Sequence, residues 1–100
     1  MAVVEVSIVP LGTGNPSVSK HVARVVKVLR TEPDVKYNQT AMGTIIEGDL
    51  DRILSVIRKM HESVFNEEVV RVVTTIKIDD RRDKELNIEG KLDSLNRELG

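Results

Sequence analysis

The apolar positions of the chain follow two periods, and each period predicts a different kind of element. The segment Val3–Pro10 is rich in β-branched residues and ends at a proline, which cannot donate to a β-ladder. From Val18 the apolar residues follow the spacing i, i+4, i+7, i+8 and i+11, which is typical of one helix face. The sequence therefore predicts a strand and then a helix, whose N-cap is Asn15, followed by Pro16 in the first turn, or Ser17.

A hairpin is predicted after this first helix, which closes at Pro33-Asp34. Val35–Ala41 and Thr44–Gly48 are short extended segments with β-branched residues. Met42-Gly43 lies between them and supplies the turn. The pattern indicates two antiparallel neighbours in one sheet.

The second half of the chain repeats the same alternation of elements. A helix begins after Gly48, and either Asp49 or Asp51 can cap its free amides. Val69–Asp79 is the longest strand candidate. The apolar face of the second helix consists of Leu50, Ile53, Leu54, Ile57, Met60 and Val64. A short C-terminal helix is predicted from the spacing of Ile88, Leu92, Leu95 and Leu99.

The predicted order β-α-β-β-α-β, with an additional C-terminal helix, indicates an α+β fold of the ferredoxin-like class. Two right-handed strand–helix–strand crossovers joined by a hairpin give a four-stranded antiparallel sheet with both helices on one face. A chain of 100 residues accommodates one such domain, and we predict a single domain over residues 1–100.

The face of the sheet opposite the helices is predicted from strand alternation. The helix side receives Val4, Val6 and Ile8 from the first strand, Ile46 from the third, and Val70, Val72, Thr74, Ile76 and Ile78 from the last. The other side receives Glu5, Ser7, Val9, Asn38, Thr40, Ile45, Glu47, Arg71, Val73, Thr75, Lys77 and Asp79.

This second face mixes apolar and charged side chains. A solvated face would not need so many valines and isoleucines, whereas a core would not tolerate unpaired charges. The mixture is typical of a surface that associates with another sheet and encloses a small polar pocket. We therefore expect homo-oligomerisation through this face. The alternative is a sheet face that contacts water and carries incidental apolar residues.

Composition excludes several classes of function. The net charge of -1 disfavours general nucleic-acid binding, and the absence of cysteine excludes thiolate chemistry and cysteine-based metal sites. RNA recognition on an exposed sheet needs stacking aromatic residues, but the chain has only Tyr37 and Phe65. No apolar run approaches the roughly 20 residues of a membrane span, and Met1–Pro10 lacks the basic start of a signal peptide. We expect a cytoplasmic protein that binds neither nucleic acid nor membrane.

Few local motifs carry chemistry. The loop Leu11–Ser17 could surround an anion with backbone amides, but it lacks the dinucleotide and P-loop patterns, so a tight connection is favoured. His21 and His61 lie on different helices, so we expect no metal site. For His61 we expect a capping or inter-subunit hydrogen-bonding role.

Motifs spread along the chain resemble the small single-domain thiamine-binding-like (YkoF-like) family. They run to about Asp83 and comprise Pro10 with Gly12, Ser17, Met42–Thr44, Ile46–Gly48, His61-Glu62, Arg71, Thr74–Asp79 and Arg81. The resemblance implies a ferredoxin-like subunit that pairs sheets into dimers and dimers into tetramers. It further implies a pocket for thiamine or a related pyrimidine, with no established catalysis.

An aminopyrimidine requires an acidic partner and short hydroxyl or amide groups. A lysine could pair with a carboxylate or with an anionic group of the ligand. The ligand-binding residues that we predict on this basis are Glu5, Ser7, Asn38, Thr40, Glu47, Thr75 and Lys77.

The sequence leaves three candidate functions. The favoured one is a homo-oligomeric carrier or sensor of thiamine or its pyrimidine moiety, without a resident cofactor. The second is a structural or regulatory interaction module, in which the same face only joins subunits. An enzyme that uses Glu5 with Glu47, or Ser7, is disfavoured because Ser7 has no adjacent base and binding needs less machinery.

Overall fold

The structure, a computed structural model, describes residues 1–15 and 19–100. It confirms the predicted α+β class and the order of elements, including the C-terminal helix. The elements are β1 (Ala2–Pro10), α1 (Ser19–Arg30), β2 (Lys36–Gln39), β3 (Thr44–Gly48), α2 (Leu50–Val64), β4 (Val72–Asp80) and α3 (Ile88–Leu99). The predicted first-turn Pro16, the alternative cap Ser17 and Val18, where the predicted helical spacing starts, lie outside the described residues.

The four strands form one antiparallel sheet in the order β2-β3-β1-β4, so β1 is a central strand and β4 is an edge. In β1, Val4 pairs with Ile46 on one side and with Ile78 on the other. β4 pairs with β1 along the whole of Ala2–Pro10, whereas β3 pairs with β1 only over Ala2–Val6. Within residues 1–15 and 19–100, the second half of β1 therefore has a strand neighbour on one side only.

The hydrophobic core lies between the sheet and the paired helices α1 and α2. The alternation of β1 is as predicted, since Val4 and Val6 are buried and Ile8 packs against the core. Burying a side chain of this size contributes about 1.5–3 kcal/mol. The most completely buried side chains are Leu29, Ile46, Ile53, Met60, Val4, Val6, Val56, Val64 and Val69.

α2 begins where the sequence predicts, and Asp49 is its N-cap. The Asp49 carboxylate accepts a hydrogen bond from the backbone N–H of Arg52 at 3.3 Å. Asp51 lies in the first turn, where a negative charge is favoured by the helix dipole. The cap fixes the start of α2 directly after β3, so the helix crosses back over the sheet.

Four charged side chains join the connection between α1 and β2 to α2. The Arg52 guanidinium lies 2.7 Å from Glu32 Oε2 and 2.6 Å from Asp34 Oδ2, and Lys59 Nζ lies 2.6 Å from Glu32 Oε1. The hydrogen bonds from Lys59 and then Arg52 hold the pKa of the Glu32 carboxyl below its usual value. Arg52 lowers the pKa of Asp34 in the same way. The folded chain therefore favours the ionised form of both carboxyls.

The start of the last strand was predicted wrongly. β4 begins at Val72 and not at Val69, and Val70, expected in the core, is 80% exposed. The Asn66 side chain accepts hydrogen bonds from the backbone N–H groups of Glu68 and Val69, both at 2.8 Å. This turn directs Val69 inward before the strand begins and leaves Val70 in solvent.

The far half of β4 also departs from the prediction. Ile76 and Ile78 pair with Val6 and Val4, so they are on the helix side of the sheet as expected. They are nevertheless 42% and 46% exposed, because β4 is an edge strand. The core therefore includes the start of β4, where Val72 packs against it, but does not extend to Ile76 and Ile78 as predicted.

β2 is shorter than predicted, because Thr40 and Ala41 belong to the turn. The Thr40 hydroxyl accepts from the N–H groups of Met42 and Gly43 and donates to the Gly43 carbonyl at 2.9 Å. A Cβ on Gly43 would lie 2.8 Å from the Val6 carbonyl oxygen, so this position requires glycine. The hairpin tip is therefore held tightly against the middle of β1.

Candidate functional site

The helix-free side of the sheet, which we call the open face, carries its side chains in rows across the strands. Within a row the side chains of register partners lie next to each other. From β2 to β4 the rows are Lys36, Glu47, Val3 and Asp79; then Asn38, Ile45, Glu5 and Lys77; then Ser7 and Thr75; then Val9 and Val73. Strand alternation thus placed these residues on the correct face.

α3 covers the first of these rows. The backbone N–H of Ile88 donates to Glu47 Oε2 at 2.7 Å, and Lys91 pairs with Asp79. Glu47 and Val3 are consequently buried, although both belong to the open face. The structure gives Glu47 a role that the sequence did not predict, because its carboxylate accepts from the first turn of a helix 41 positions further along the chain.

Beyond this first turn, α3 extends away from the body of the protein. None of its residues is buried, and Leu92, Leu95 and Leu99 are all more than half exposed. The described residues measure 47 × 29 × 19 Å along the principal axes, and their radius of gyration is 14.9 Å. A compact chain of this length would have a radius of gyration of about 13 Å. α3 is therefore attached at one end only.

A groove of about 530 Å³, which we call the open-face groove, lies on the open face beside α3. Glu5 and Lys77 are register partners on adjacent strands and both line it. In residues 1–15 and 19–100, no hydrogen bond or ion pair engages either side chain. The lining residues are Val3, Glu5, Ile45, Lys77, Ile78, Asp79, Asp80 and Lys91.

A second cleft, of about 630 Å³, lies between α1, the hairpin tip and the second half of β1. We call it the hairpin cleft. Val22 and Val25 of α1 line one wall, and Ala41 and Met42 of the hairpin line another. None of its described lining residues is charged. The two cavities therefore differ in chemistry, since the open-face groove is charged and the hairpin cleft is largely apolar.

The predicted ligand-binding residues divide between these two cavities. Glu5 and Lys77 line the open-face groove, whereas Ser7 and Thr40 line the hairpin cleft. The Thr40 hydroxyl is already engaged in the hairpin turn. The predicted residues that line neither cavity are Asn38, Glu47 and Thr75. Their assignment as ligand-binding residues stays a prediction.

The histidines do not approach these cavities. His61 Nδ1 lies 2.6 Å from the Thr74 hydroxyl, and its ring meets Phe65 edge-on at a centroid distance of 5.3 Å. His61 thus connects α2 to β4 within one chain. His21 Nδ1 and Arg24 Nη1 are buried and have no hydrogen-bond partner among the described residues, and both side chains line a polar cleft beside the loop that precedes β4. In the described part of the chain, no three His, Asp or Glu residues are grouped as metal ligands.

No helix within the described ranges is long and apolar enough to cross a lipid bilayer.

The profile of the thiamine-binding protein family matches residues 4–96 of this chain. The chain belongs to this family. The matched range covers β1 from Val4, the other three strands and most of α3.

Two proteins are similar to this chain over nearly their whole length. YqgV of Bacillus subtilis is 46% identical over 102 residues, covering 99% of this chain and 98% of that protein. The crystal structure of MJ1052 from Methanocaldococcus jannaschii superposes with a TM-score of 0.87 at 47% identity, covering 95% of both chains. A Thermotoga maritima structure, named provisionally as a thiamine biosynthesis or salvage protein, has a TM-score of 0.76 at 18% identity and covers 94% of this chain and 97% of that one. At that identity it shows the fold alone.

Proposed function

We propose that this protein binds thiamine or a related pyrimidine, without turning it over, in the open-face groove at an interface between copies of the chain. The observation that carries the proposal is the juxtaposition of Glu5 and Lys77, which are register partners with no intramolecular ion pair, in a groove of about 530 Å³. As the sequence predicted, we place the protein in the cytoplasm as a homotetramer, a dimer of dimers.

The chemistry of the groove suits an aminopyrimidine. The Glu5 carboxylate accepts hydrogen bonds from an exocyclic amino group, and charge-assisted bonds of this kind are stronger than neutral ones. Ile45 is the register partner of Glu5 on the opposite side and supplies apolar surface for the ring. Lys77 is available for an anionic substituent such as a phosphate. Asp79 and Asp80 are already paired with Lys91 and Arg82, so Glu5 is the carboxylate available to a cationic thiazolium.

A second copy of the chain would enclose the groove. Binding sites for small molecules usually bury 70–90% or more of the ligand, and this groove is open on one side. Val9 and Val73 lie next to each other at the far end of the open face and are 40% and 44% exposed. Covering them removes apolar surface from water, which favours association. The family description, and the thiamine-related name of the Thermotoga maritima protein, support the same ligand class.

The test is calorimetric titration with thiamine, hydroxymethylpyrimidine and their phosphates. We expect saturable binding that weakens about tenfold or more in Glu5→Gln, since a charge-assisted hydrogen bond is worth about 1.5–3 kcal/mol. Lys77→Ala should weaken the phosphates more than the free compounds. Glu62→Gln and Lys27→Ala, which change exposed residues of α2 and α1, are the matched controls. Absence of binding by every compound refutes the proposal.

Two further measurements complete this test. Mass spectrometry of thiamine after incubation with the protein should return the unchanged compound, and a product would contradict a purely binding role. Light scattering of Val73→Asp should show loss of the assembly, because the substitution introduces a charge into the proposed interface.

An interaction module is the second candidate, and the exposed Val9–Val73 pair is the observation that favours it. In that case Val73→Asp would still dissociate the assembly, whereas no thiamine-like compound would bind the intact protein. The two candidates are therefore separated by the titration and not by the oligomeric state.

A further inference from the structure

The polar cleft beside the loop that precedes β4 is a further cavity, with a volume of about 520 Å³. One wall is formed by α1, which contributes Lys20, His21 and Arg24. Another wall is formed by the loop before β4, where Glu67 and Glu68 line the cleft. The cationic side chains of this cavity therefore come from a helix, and its carboxylates come from a loop.

Two polar atoms of the helix wall lack a hydrogen-bond partner. Arg24 Nη1 and His21 Nδ1 are both buried, and no described residue bonds to either atom. A buried donor without an acceptor carries a cost in free energy, which a bound ligand or water removes. Each side chain as a whole is only partly buried, so it can turn toward an acceptor in the cleft without breaking a hydrogen bond of the fold. The helix wall therefore needs an acceptor from outside the chain.

The charged side chains of the cleft are also unpaired. In residues 1–15 and 19–100, no ion pair engages Lys20 or Arg24 on the helix, and none engages either glutamate of the loop. The arginine Arg52, by contrast, lies 2.7 Å from Glu32 on the other side of the helix layer. Opposite charges thus line the polar cleft without neutralising each other across it.

The start of α1 favours a negative group at the same place. α1 begins at Ser19 and has no acidic residue in its first turn, where Lys20 and His21 lie instead. The free amides at the start of a helix favour negative charge and disfavour positive charge. A carboxylate from outside the chain would balance both the helix dipole and these side chains.

We propose that the polar cleft binds a small zwitterion that carries a carboxylate and an ammonium group, such as an aliphatic amino acid. The carboxylate accepts hydrogen bonds from the Arg24 guanidinium and from His21 Nδ1, in the tautomer that carries its proton on this atom. Lys20 adds positive charge at the same wall. The ammonium group donates to the carboxylates of Glu67 and Glu68. Charge-assisted bonds of this kind are about twice as strong as neutral ones.

The balance of charge selects a zwitterion over a simple anion. The lining contains two fully cationic side chains and two carboxylates, and its other residues are His21, Thr13, Asn15, Ser19, Asn66 and Val69. Phosphate or a simple carboxylic acid would be attracted by α1 but repelled by the loop. A zwitterion gains a counter-charge at both of its ends.

The inference does not rest on the proposed thiamine site. Neither Glu5 nor Lys77 lines the polar cleft. Thiamine carries a positive charge but no carboxylate, so it lacks the group that the helix wall requires. The two sites can therefore be tested separately on the same protein.

The first experiment is an NMR titration of the uniformly ¹⁵N-labelled full chain with glycine, β-alanine and 4-aminobutyrate. We expect saturable shifts of amides in α1 around Arg24 and in the loop around Glu68, with a Kd of about 1 mM or below for at least one compound. For that compound, the acid without the amino group and the amine without the carboxyl group should each bind about tenfold or more weakly.

Two results of this titration overturn the inference. One is the absence of saturable shifts in the cleft with all three zwitterions up to about 100 mM, a hundredfold above the expected Kd. The other is equal affinity for the zwitterion and for its acid or inorganic phosphate, which would make the cleft a simple anion site.

A substitution on the helix wall tests the carboxylate contact. Arg24→Gln removes the guanidinium and should weaken the zwitterion about tenfold or more, since a hydrogen bond to a charged group is lost. Arg30→Gln makes the same change at an exposed position in the last turn of α1, outside the cleft, and should leave the affinity unchanged. Thiamine titration should be unaltered in both variants. Equal zwitterion affinity in the two variants contradicts the inference.

A substitution on the loop wall tests the ammonium contact and stands in for Arg24→Gln if that variant does not fold. The double variant Glu67→Gln with Glu68→Gln changes two exposed residues. It should weaken the zwitterion about tenfold, while the acid without the amino group binds no more weakly than before. The control Glu62→Gln with Glu85→Gln removes the same charge at exposed positions outside the cleft. Unchanged zwitterion affinity in the loop variant, or a parallel loss for the acid, refutes the ammonium contact.

Discussion

Ile45 and Ile46 are adjacent in β3 and have opposite surroundings. Ile46 is completely buried beneath the helices, whereas Ile45 lies on the open face and lines the open-face groove. The same division runs along β1, where Val4 and Val6 belong to the core and Glu5 to the groove. One strand therefore supplies both the stability of the fold and the candidate binding surface, and alternate residues can be changed to affect one or the other.

The largest expected effect is on stability, and it compares a buried with a half-buried position of the same strand. Ile46→Ala should lower the free energy of unfolding by about 2–5 kcal/mol, because it leaves a cavity in the core. Ile45→Ala removes the same atoms from a half-buried position and should cost less than about 1.5 kcal/mol in the isolated chain. Urea denaturation of both variants, at a protein concentration at which the chain is monomeric, makes the comparison. Equal losses would mean that the two faces are equally buried.

The next effect concerns the end of the open face that α3 covers. Glu47→Ala removes the acceptor of the Ile88 N–H and should lower stability by about 1–3 kcal/mol, while the first turn of α3 frays. Glu47→Gln retains an oxygen acceptor and should lose less. Hydrogen exchange of the α3 amides measures the fraying. Unchanged protection of α3 in Glu47→Ala would show that another contact holds the helix.

A smaller, pH-dependent effect on stability is expected from the charged side chains that join Glu32 and Asp34 to α2. Because Arg52 and Lys59 lower the pKa values of Glu32 and Asp34, the folded chain holds these carboxylates ionised more strongly than the unfolded chain does. Their contribution is fully present above the ordinary pKa of about 4.5 and is lost as the pH falls through the lowered values. The thermal midpoint of the wild type should therefore fall on acidification.

Substitution of Arg52 isolates this contribution. Arg52→Gln should be less stable than the wild type at pH 7, and the difference should shrink toward pH 2 as both carboxyls protonate. Arg58→Gln changes an exposed arginine of the same helix and serves as the control. Thermal melts across the pH range measure both variants, and a difference that stays constant with pH would rule the network out as its cause.

The smallest effect on stability is expected for Glu5 and Lys77, the residues whose substitution should weaken ligand binding most. Glu5→Gln and Lys77→Ala should each change the free energy of unfolding by less than about 0.5 kcal/mol, since neither side chain bonds within the described chain. Denaturation curves of both variants check this expectation. A loss of several kcal/mol would show that the groove residues are structural, and it would remove them as ligand-binding candidates.

Alternation and helical spacing predicted the elements and the facing of β1, because both signals are local and each covers several residues. The predicted orientation of Val70 is wrong because the residues before β4 form a turn with the Asn66 side chain and do not follow strand alternation. The hydrogen bond from Ile88 to Glu47 joins positions far apart in sequence, so no local pattern could predict it. Asn66 followed by two acidic residues was the available signal for the turn.

The candidate site was predicted as one set of residues and is found as two cavities. Sequence alternation assigned Glu5, Ser7 and Lys77 to a common face, and the register confirms that assignment. It could not predict that β2 ends at Gln39, because the end of this strand depends on the Thr40 hydroxyl closing the turn early. This early closure separates Ser7 from Glu5 and creates the hairpin cleft.

The position of α3 has a further consequence for any assembly of this protein. The first turn of α3 covers the row that contains Val3, Glu47 and Asp79, so a second sheet cannot pack flat against this end of the open face. If two copies associate through their open faces, as we propose, contact is left to the rows that contain Ile45, Ser7 and Val73, and the two sheets are offset lengthwise. In such an assembly the C-terminal helix limits the alignments that the subunits can adopt, and shortening it would permit others.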